Sequence, residues 1–221
     1  MLRRLNKGFA FLFLTSAVFA QPAADFRVAV LGGRVIPYEA VDGLAIVDGD
    51  IILGTVEEVE AASGQDLEAA RGIRGAAVRV NPDNSLPLWP NATIYYTIDA
   101  NVPSQQRIRD AIEHWNTRTP IRLVPRTGQA NFVRFVRPAG NNTCSSAVGM
   151  IGGQQLINLA DACSTGNTIH EIGHAVGLDH EQNRFDRNDF VTVIPENTDK
   201  TLLGQSSQAP WIGAGGYYDY D

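Results

Sequence analysis

The stretch Thr168-Ile169-His170-Glu171-Ile172-Gly173-His174-Ala175-Val176-Gly177-Leu178-Asp179-His180-Glu181-Gln182-Asn183-Arg184-Phe185-Asp186-Arg187-Asn188-Asp189 decides how this chain is read. It holds three of the chain's four histidines. His170 and His174 are four residues apart, so a helix places them one turn apart on one face. Two imidazoles so placed can both reach one metal ion, at about 2.0–2.1 Å for zinc. Glu171 projects to the side of that face, within reach of the ion's surroundings without being a ligand. Gly177 predicts the end of the helix, because glycine readily takes the left-handed conformation found there. The turn that follows brings His180 back as a third nitrogen ligand.

Three neutral imidazoles leave a dication with its full charge and one open position. A cation held so acidifies water, from 15.7 in bulk to roughly 7 in zinc enzymes. Glu171 can act as general base and later pass the proton to a leaving amine. Peptide-bond hydrolysis is the chemistry that most often uses this set. A bare H-E-x-x-H also arises on ordinary amphipathic helices. The longer H-E-x-x-H-x-x-G-x-x-H is far more specific and reads as a metzincin zinc site.

Beyond it, His180-Glu181, Arg184, Asp186-Arg187 and Asp189-Phe190-Val191 resemble the astacin family of metalloendopeptidases. Leu178 stands for the family's usual Phe, and Asn188-Asp189 follows the Asp-Arg pair. The resemblance implies an α+β, zincin-like catalytic domain, with a mixed twisted sheet and two long helices. It implies one zinc per chain on His170, His174 and His180, and a peptide or protein substrate. Glu181 corresponds to a family residue linked to the buried mature N-terminus; a surface carboxylate near Arg184 or Arg187 is the alternative.

The 221 residues, 44% hydrophobic with a net charge of -6, suit one globular domain plus extra segments. The acidic balance argues against a nucleic-acid surface. Residues 1–20 read as a signal peptide: Arg3, Arg4 and Lys7 precede an apolar run, and Val18-Phe19-Ala20 offers a cleavage site. No second long apolar run follows, so no membrane span is expected in the mature form. These features predict a secreted or periplasmic protein, expected to be monomeric. Oxidising conditions there predict a bridge between Cys144 and Cys163, two buried free thiols being the alternative.

Residues 21–79 look like a separate unit, a propeptide, with Val47-Asp48-Gly49-Asp50 as its sharpest feature. It is similar to the F-x-G-D motif of astacin propeptides, whose aspartate occupies the zinc's open position. That resemblance makes Asp50 a blocking ligand. Asp-Gly is equally a common hairpin turn between two short strands. Residues 56–71 are expected to be helical, and activation cleavage is expected after Arg71, Arg74 or Arg79.

The catalytic domain is expected over residues 80–221, opening on Leu88-Trp89-Pro90-Asn91. Thr93 to Ile98 alternates as a strand. Ser104 is a candidate cap for a helix to about Asn116, with Ile108, Ala111, Ile112 and Trp115 as its core stripe. Residues 121–124 and 131–136 read as strands. His114 receives no catalytic role. Pro120 stands where astacins usually have a cysteine. Cys144-Ser145-Ser146-Ala147-Val148-Gly149 resembles the family's C-x-S-x-V-G phrase, with Cys163 where its partner is expected. Residues 152–159 match the family's cleft-lining edge strand, so Gln154, Gln155 and Leu156 are expected to hold substrate by strand addition. An ordinary hairpin strand with a glycine bend is the alternative. Ser164 or Thr165 is expected to cap the histidine helix, with Ile169, Ile172 and Val176 against the sheet.

Tyr217, Tyr218 and Tyr220 resemble the approach to the family's S-x-M-H-Y turn, and the sequence stops before it. An incomplete C-terminal subdomain is therefore expected. The competing function is a non-catalytic secreted module that keeps the zinc fold without turnover.

Overall fold

The structure is a computed structural model that describes residues 25–31, 33–65, 88–140, 142–180, 187–189, 192 and 194. The expected signal peptide, Arg71, Arg74, Arg79, Glu181, Arg184, Asp186 and the C-terminal tyrosines lie outside the described residues, as do the expected boundaries at residues 20 and 79.

Alternating apolar residues in the N-terminal part build four strands: β1 (Phe26–Leu31), β2 (Arg34–Val41), β3 (Leu44–Val47) and β4 (Ile51–Thr55). Each pairs antiparallel with the next. Asp48 and Gly49 turn β3 into β4 with φ of 52° and 92°. The connection is three residues long: Asp50 N donates to Val47 O at 3.3 Å, closing a turn whose two central residues both have positive φ, and glycine takes the second of them without a Cβ clash. Helix α1 (Val56–Ala62) follows at once. Thr55 accepts from the Glu58 N–H at 3.2 Å, and the Glu58 carboxylate accepts from the Thr55 N–H at 2.9 Å. That reciprocal cap explains where the helix begins. Its end at Ala62 falls short of the span expected for residues 56–71, because Ser63 leaves helical geometry and Gly64 takes a positive φ of 80°.

The C-terminal part contributes β5 (Thr93–Ile98), α2 (Gln106–Arg118), β6 (Arg122–Pro125), β7 (Phe132–Val136), β8 (Cys144–Ser146), β9 (Gln154–Leu159) and α3 (Thr165–Val176). The strands form one mixed sheet in the order β1-β2-β3-β4-β8-β9-β7-β5-β6. β5, β6, β7 and β9 run parallel, and β8 is antiparallel to β9. The α+β expectation with two long helices holds.

Two expectations are corrected. Ser104 does not cap α2: it sits at φ 52°, and the residue before the helix, Gln105, makes no side-chain cap. Residues Gln154, Gln155 and Leu156 are not on an edge strand. β9 lies inside the sheet between β7 and β8; β7 pairs with Gln154 to Asn158 and β8 with Ile157 to Leu159, so residues 154–156 are paired on the β7 side. Among the strands of the C-terminal part, β8 and β6 hold the two outer positions, and β8 is the one beside β9.

Ile94, Ile108, Val133, Phe135, Ile157, Leu159 and Ile172 fill the core between this sheet and α2 with α3, each fully buried. Such side chains stabilise the fold by about 1.5–3 kcal/mol apiece. Trp115 Nε1 donates to Ile169 O at 3.0 Å and Trp89 Nε1 to Ala175 O at 2.7 Å, fastening α3 to its surroundings. Ile169 and Val176 pack on the edge of the same core.

The two halves meet along β4 and β8. Ile51 lies in parallel register with Ser146, and Ser146 N donates to Asp50 O at 2.9 Å. Val148 enters the core formed by Leu31, Tyr38, Val47, Ile51, Leu53 and α1. On the opposite face Ile46 and Ile52 enclose Ala147, with Ile151 packed against them. Among the described residues no helix is long and apolar enough to cross a membrane.

Candidate metal centre

Ser164 begins α3 by accepting from the Asn167 N–H at 3.2 Å, while the Asn167 side chain accepts from the Ser164 N–H at 2.9 Å. The turn before it is held by buried Arg107 on α2, which donates to the carbonyls of Ala160 at 2.9 Å and of Cys163. Buried guanidinium donors are tolerated where carbonyls receive them, and these do. Cys163 is bridged to Cys144, tying β8 to the start of α3. Gly177 ends the helix at φ 129°, and its N–H returns to the carbonyls of Gly173 and His174. The chain then reverses and delivers His180.

Asp50, His170, His174 and His180 converge, each offering one ligand atom, all within 4.8 Å of one another. His170 Nε2 is 3.1 Å from Asp50 Oδ2, and His180 Nε2 is 3.1 Å from Asp50 Oδ1. His174 Nε2 stands 3.6 Å from Asp50 Oδ1, and the His170 and His180 Nε2 atoms are 3.2 Å apart. Ligand atoms about 2.0–2.1 Å from a tetrahedral ion are separated by about 3.3–3.4 Å. The donor set therefore fits a zinc-sized cation. His174 Nδ1 lies 2.8 Å from Leu178 O, which fixes that nitrogen as the donor and turns the Nε2 lone pair inward. His174 Nε2 and Asp50 Oδ1 are buried and make no hydrogen bond, as atoms aimed at a shared ion should be.

The electrostatics are strongly polarised. Burial works to raise the Asp50 carboxyl, but the three imidazoles gathered around it outweigh that and hold the group well below the usual carboxylate range. Burial lowers His180, yet the Asp50 bond and charge leave it raised overall, with Asp179 and Asp48 adding to the rise. Glu171 is 1% exposed. Burial pushes its carboxyl up to about 9, and the Asp50 charge adds to that. Glu171 is not among the four converging groups, and its Oε2 makes no hydrogen bond.

The structure thus brings together His170, His174, His180 and Asp50, with Glu171 one residue along the helix from His170. Gln154 to Leu156 stand apart as a supporting strand. Gln155 is buried; its amide donates to Gly149 O at 2.9 Å and accepts from the Ile151 N–H at 3.2 Å. Gly149 N in turn donates to His174 O at 2.7 Å. This support, and the Leu178 carbonyl behind His174, have no signal in local sequence pattern, since both depend on contacts between elements.

A mixed sheet backed by a histidine helix, with three inward imidazoles and a buried neighbouring carboxylic acid, defines a metal-dependent hydrolase centre of the zincin type. Comparison narrows it. The family model described as Astacin, a peptidase family, matches residues 82–221. The chain belongs to the astacin family. It is 38% identical over 125 residues to zinc metalloproteinase nas-15 of Caenorhabditis elegans, covering 55% of this chain and 22% of that one. It is 38% identical over 115 residues to bone morphogenetic protein 1 of Xenopus laevis, covering 50% and 16%. Among solved structures it is similar to the hatching enzyme zinc-protease HCE-1 of the medaka Oryzias latipes. The TM-score is 0.53 and the identity 28%, over 61% of this chain and 69% of that one. The matches span 22% of nas-15 and 16% of bone morphogenetic protein 1, so the chain covers only a minor part of these relatives.

Proposed function

We propose that the chain is the latent form of an exported zinc endopeptidase. The observation that carries this is the convergence of His170, His174 and His180 beside buried Glu171. Zinc, when bound, supplies Lewis acidity toward a carbonyl and acidifies water. The chain's own residues do the rest. The imidazoles orient toward one point, His174 through its bond to Leu178 O. Glu171 takes a proton from water and returns it to the departing amine nitrogen. In the latent form burial and the Asp50 charge keep a proton on it; departure of Asp50 and the charge of a bound cation would both lower its carboxyl toward the range of a base.

Latency is supported by two contacts of the N-terminal half. The Asp50 carboxylate sits among the three imidazoles, where a water or a substrate carbonyl would otherwise stand. β4 occupies the side of β8 that a substrate strand would use, with Asp50 O accepting from Ser146 N. The Cys144–Cys163 bridge suits an oxidising compartment. In the test, the protein is processed to remove residues 21–79 and assayed for zinc and for turnover of an unstructured peptide. The processed protein is expected to carry one zinc and to cleave the peptide. Glu171→Ala should keep the zinc and lose at least about a hundredfold in rate; loss of zinc from that variant would remove the assigned role.

A further inference from the structure

The hairpin β3–β4 covers more than the histidines. Beyond Asp50, Ile52 packs with Ile46 over Ala147, and Ile151 completes the cluster. Ala147 is 2% exposed and Ile52 8%. The apolar cover on this side belongs to the N-terminal half; Ala147 and Ile151 belong to the loop that continues β8. That loop is braced from beneath by Gln155, which bonds both Gly149 and Ile151, and by the Gly149–His174 bond. A loop held by three such bonds keeps its shape when its cover departs.

We propose that Ala147 and Ile151 form a substrate subsite for a branched aliphatic side chain, occupied in the latent form by Ile52. The inference rests on the peptidase reading above. A peptide laid along β8 takes the place of β4 and offers alternate side chains to the two faces of the sheet. Ile52 lies two residues from Asp50, about 6–7 Å along a strand. The subsite therefore receives a residue within three positions of the scissile bond. A lysine or glutamate there would bring a charge onto an apolar surface with no partner in the cluster, and is rejected for that reason.

The test uses the processed, zinc-loaded protein and a quenched peptide series in which each position within three residues of the cleaved bond is in turn Ile, Ala, Lys or Glu. At one position Ile should exceed Lys and Glu by about tenfold or more in kcat/KM. Ile151→Lys should shift that position toward Glu by a similar factor in kcat/KM, with the zinc content of the processed protein unchanged. The wild-type preference tests the proposal even if the variant does not fold. Equal rates for Ile, Lys and Glu at all positions would overturn the subsite and leave the peptidase reading standing. Failure of zinc-loaded protein to cleave any peptide would overturn both.

Discussion

At the scale of single residues, the centre is a balance between two carboxyl groups with opposite displacements. Asp50 is held low by the imidazoles, and Glu171 is held up at about 9 by burial and by Asp50. For Glu171 the folded value lies above the ordinary 4.5, so the native state keeps a proton that the unfolded state releases. The stability it contributes is full below about pH 4.5 and is lost as pH rises through about 9. Asp50 acts in reverse: its contribution is present above the ordinary carboxylate value and is lost as pH falls. The chelated, metal-free precursor should therefore lose resistance to urea between about pH 5 and 9, and Glu171→Gln should flatten that loss. Denaturation midpoints across that range provide the check; an unchanged slope in the variant would contradict the assignment. Asp50→Ala removes the carboxylate from the imidazoles and should yield a precursor at least about tenfold more active than the wild-type precursor. A precursor as silent as wild type would show that β4 alone blocks the cleft.

At the scale of elements, α3 is legible in the sequence and the cleft edge is not. His170, His174, Gly177 and His180 encode their own placement, because helix period and a glycine stop are local. Gly177→Ala at φ 129° should cost roughly 1 kcal/mol or more and weaken zinc retention by misplacing His180. Thermal denaturation with and without zinc would measure both effects. The Val47–Asp50 segment admits two readings, a plain turn or a blocking ligand. In the structure the Asp48–Gly49 turn leads directly into Asp50, whose carboxylate lies among the three histidines. The edge is hidden because β8 and β9 are both short apolar-polar runs. Which one lies outermost depends on the parallel pairing of β9 with β7, a contact no local pattern encodes. Ser104 suits a cap by residue type alone, but its backbone sits in the left-handed region, where the hydroxyl does not meet the helix N–H groups.

At the scale of the whole molecule, one sheet runs through both halves, and their cores interlock. The resemblance of Val47–Asp50 to a propeptide motif implies one contact between the halves, but the shared sheet and the interlocked cores have no local signal in residues 21–79. Val148, 1% exposed, is a core residue of the N-terminal half although it belongs to the catalytic half. Gly140 N also donates to the Asp42 carboxylate at 2.8 Å across the same junction. A cut in residues 66–87 severs the backbone and none of these contacts. The nicked protein should elute from gel filtration as one particle and stay inactive. Val148→Asp should make the two fragments separate after nicking. Pulling the halves apart leaves an unfilled hole on one side and a bare valine on the other. On the latent-precursor reading proposed above, activation is a matter of dismantling a shared interior, and a single scission amounts only to permission for that slower event.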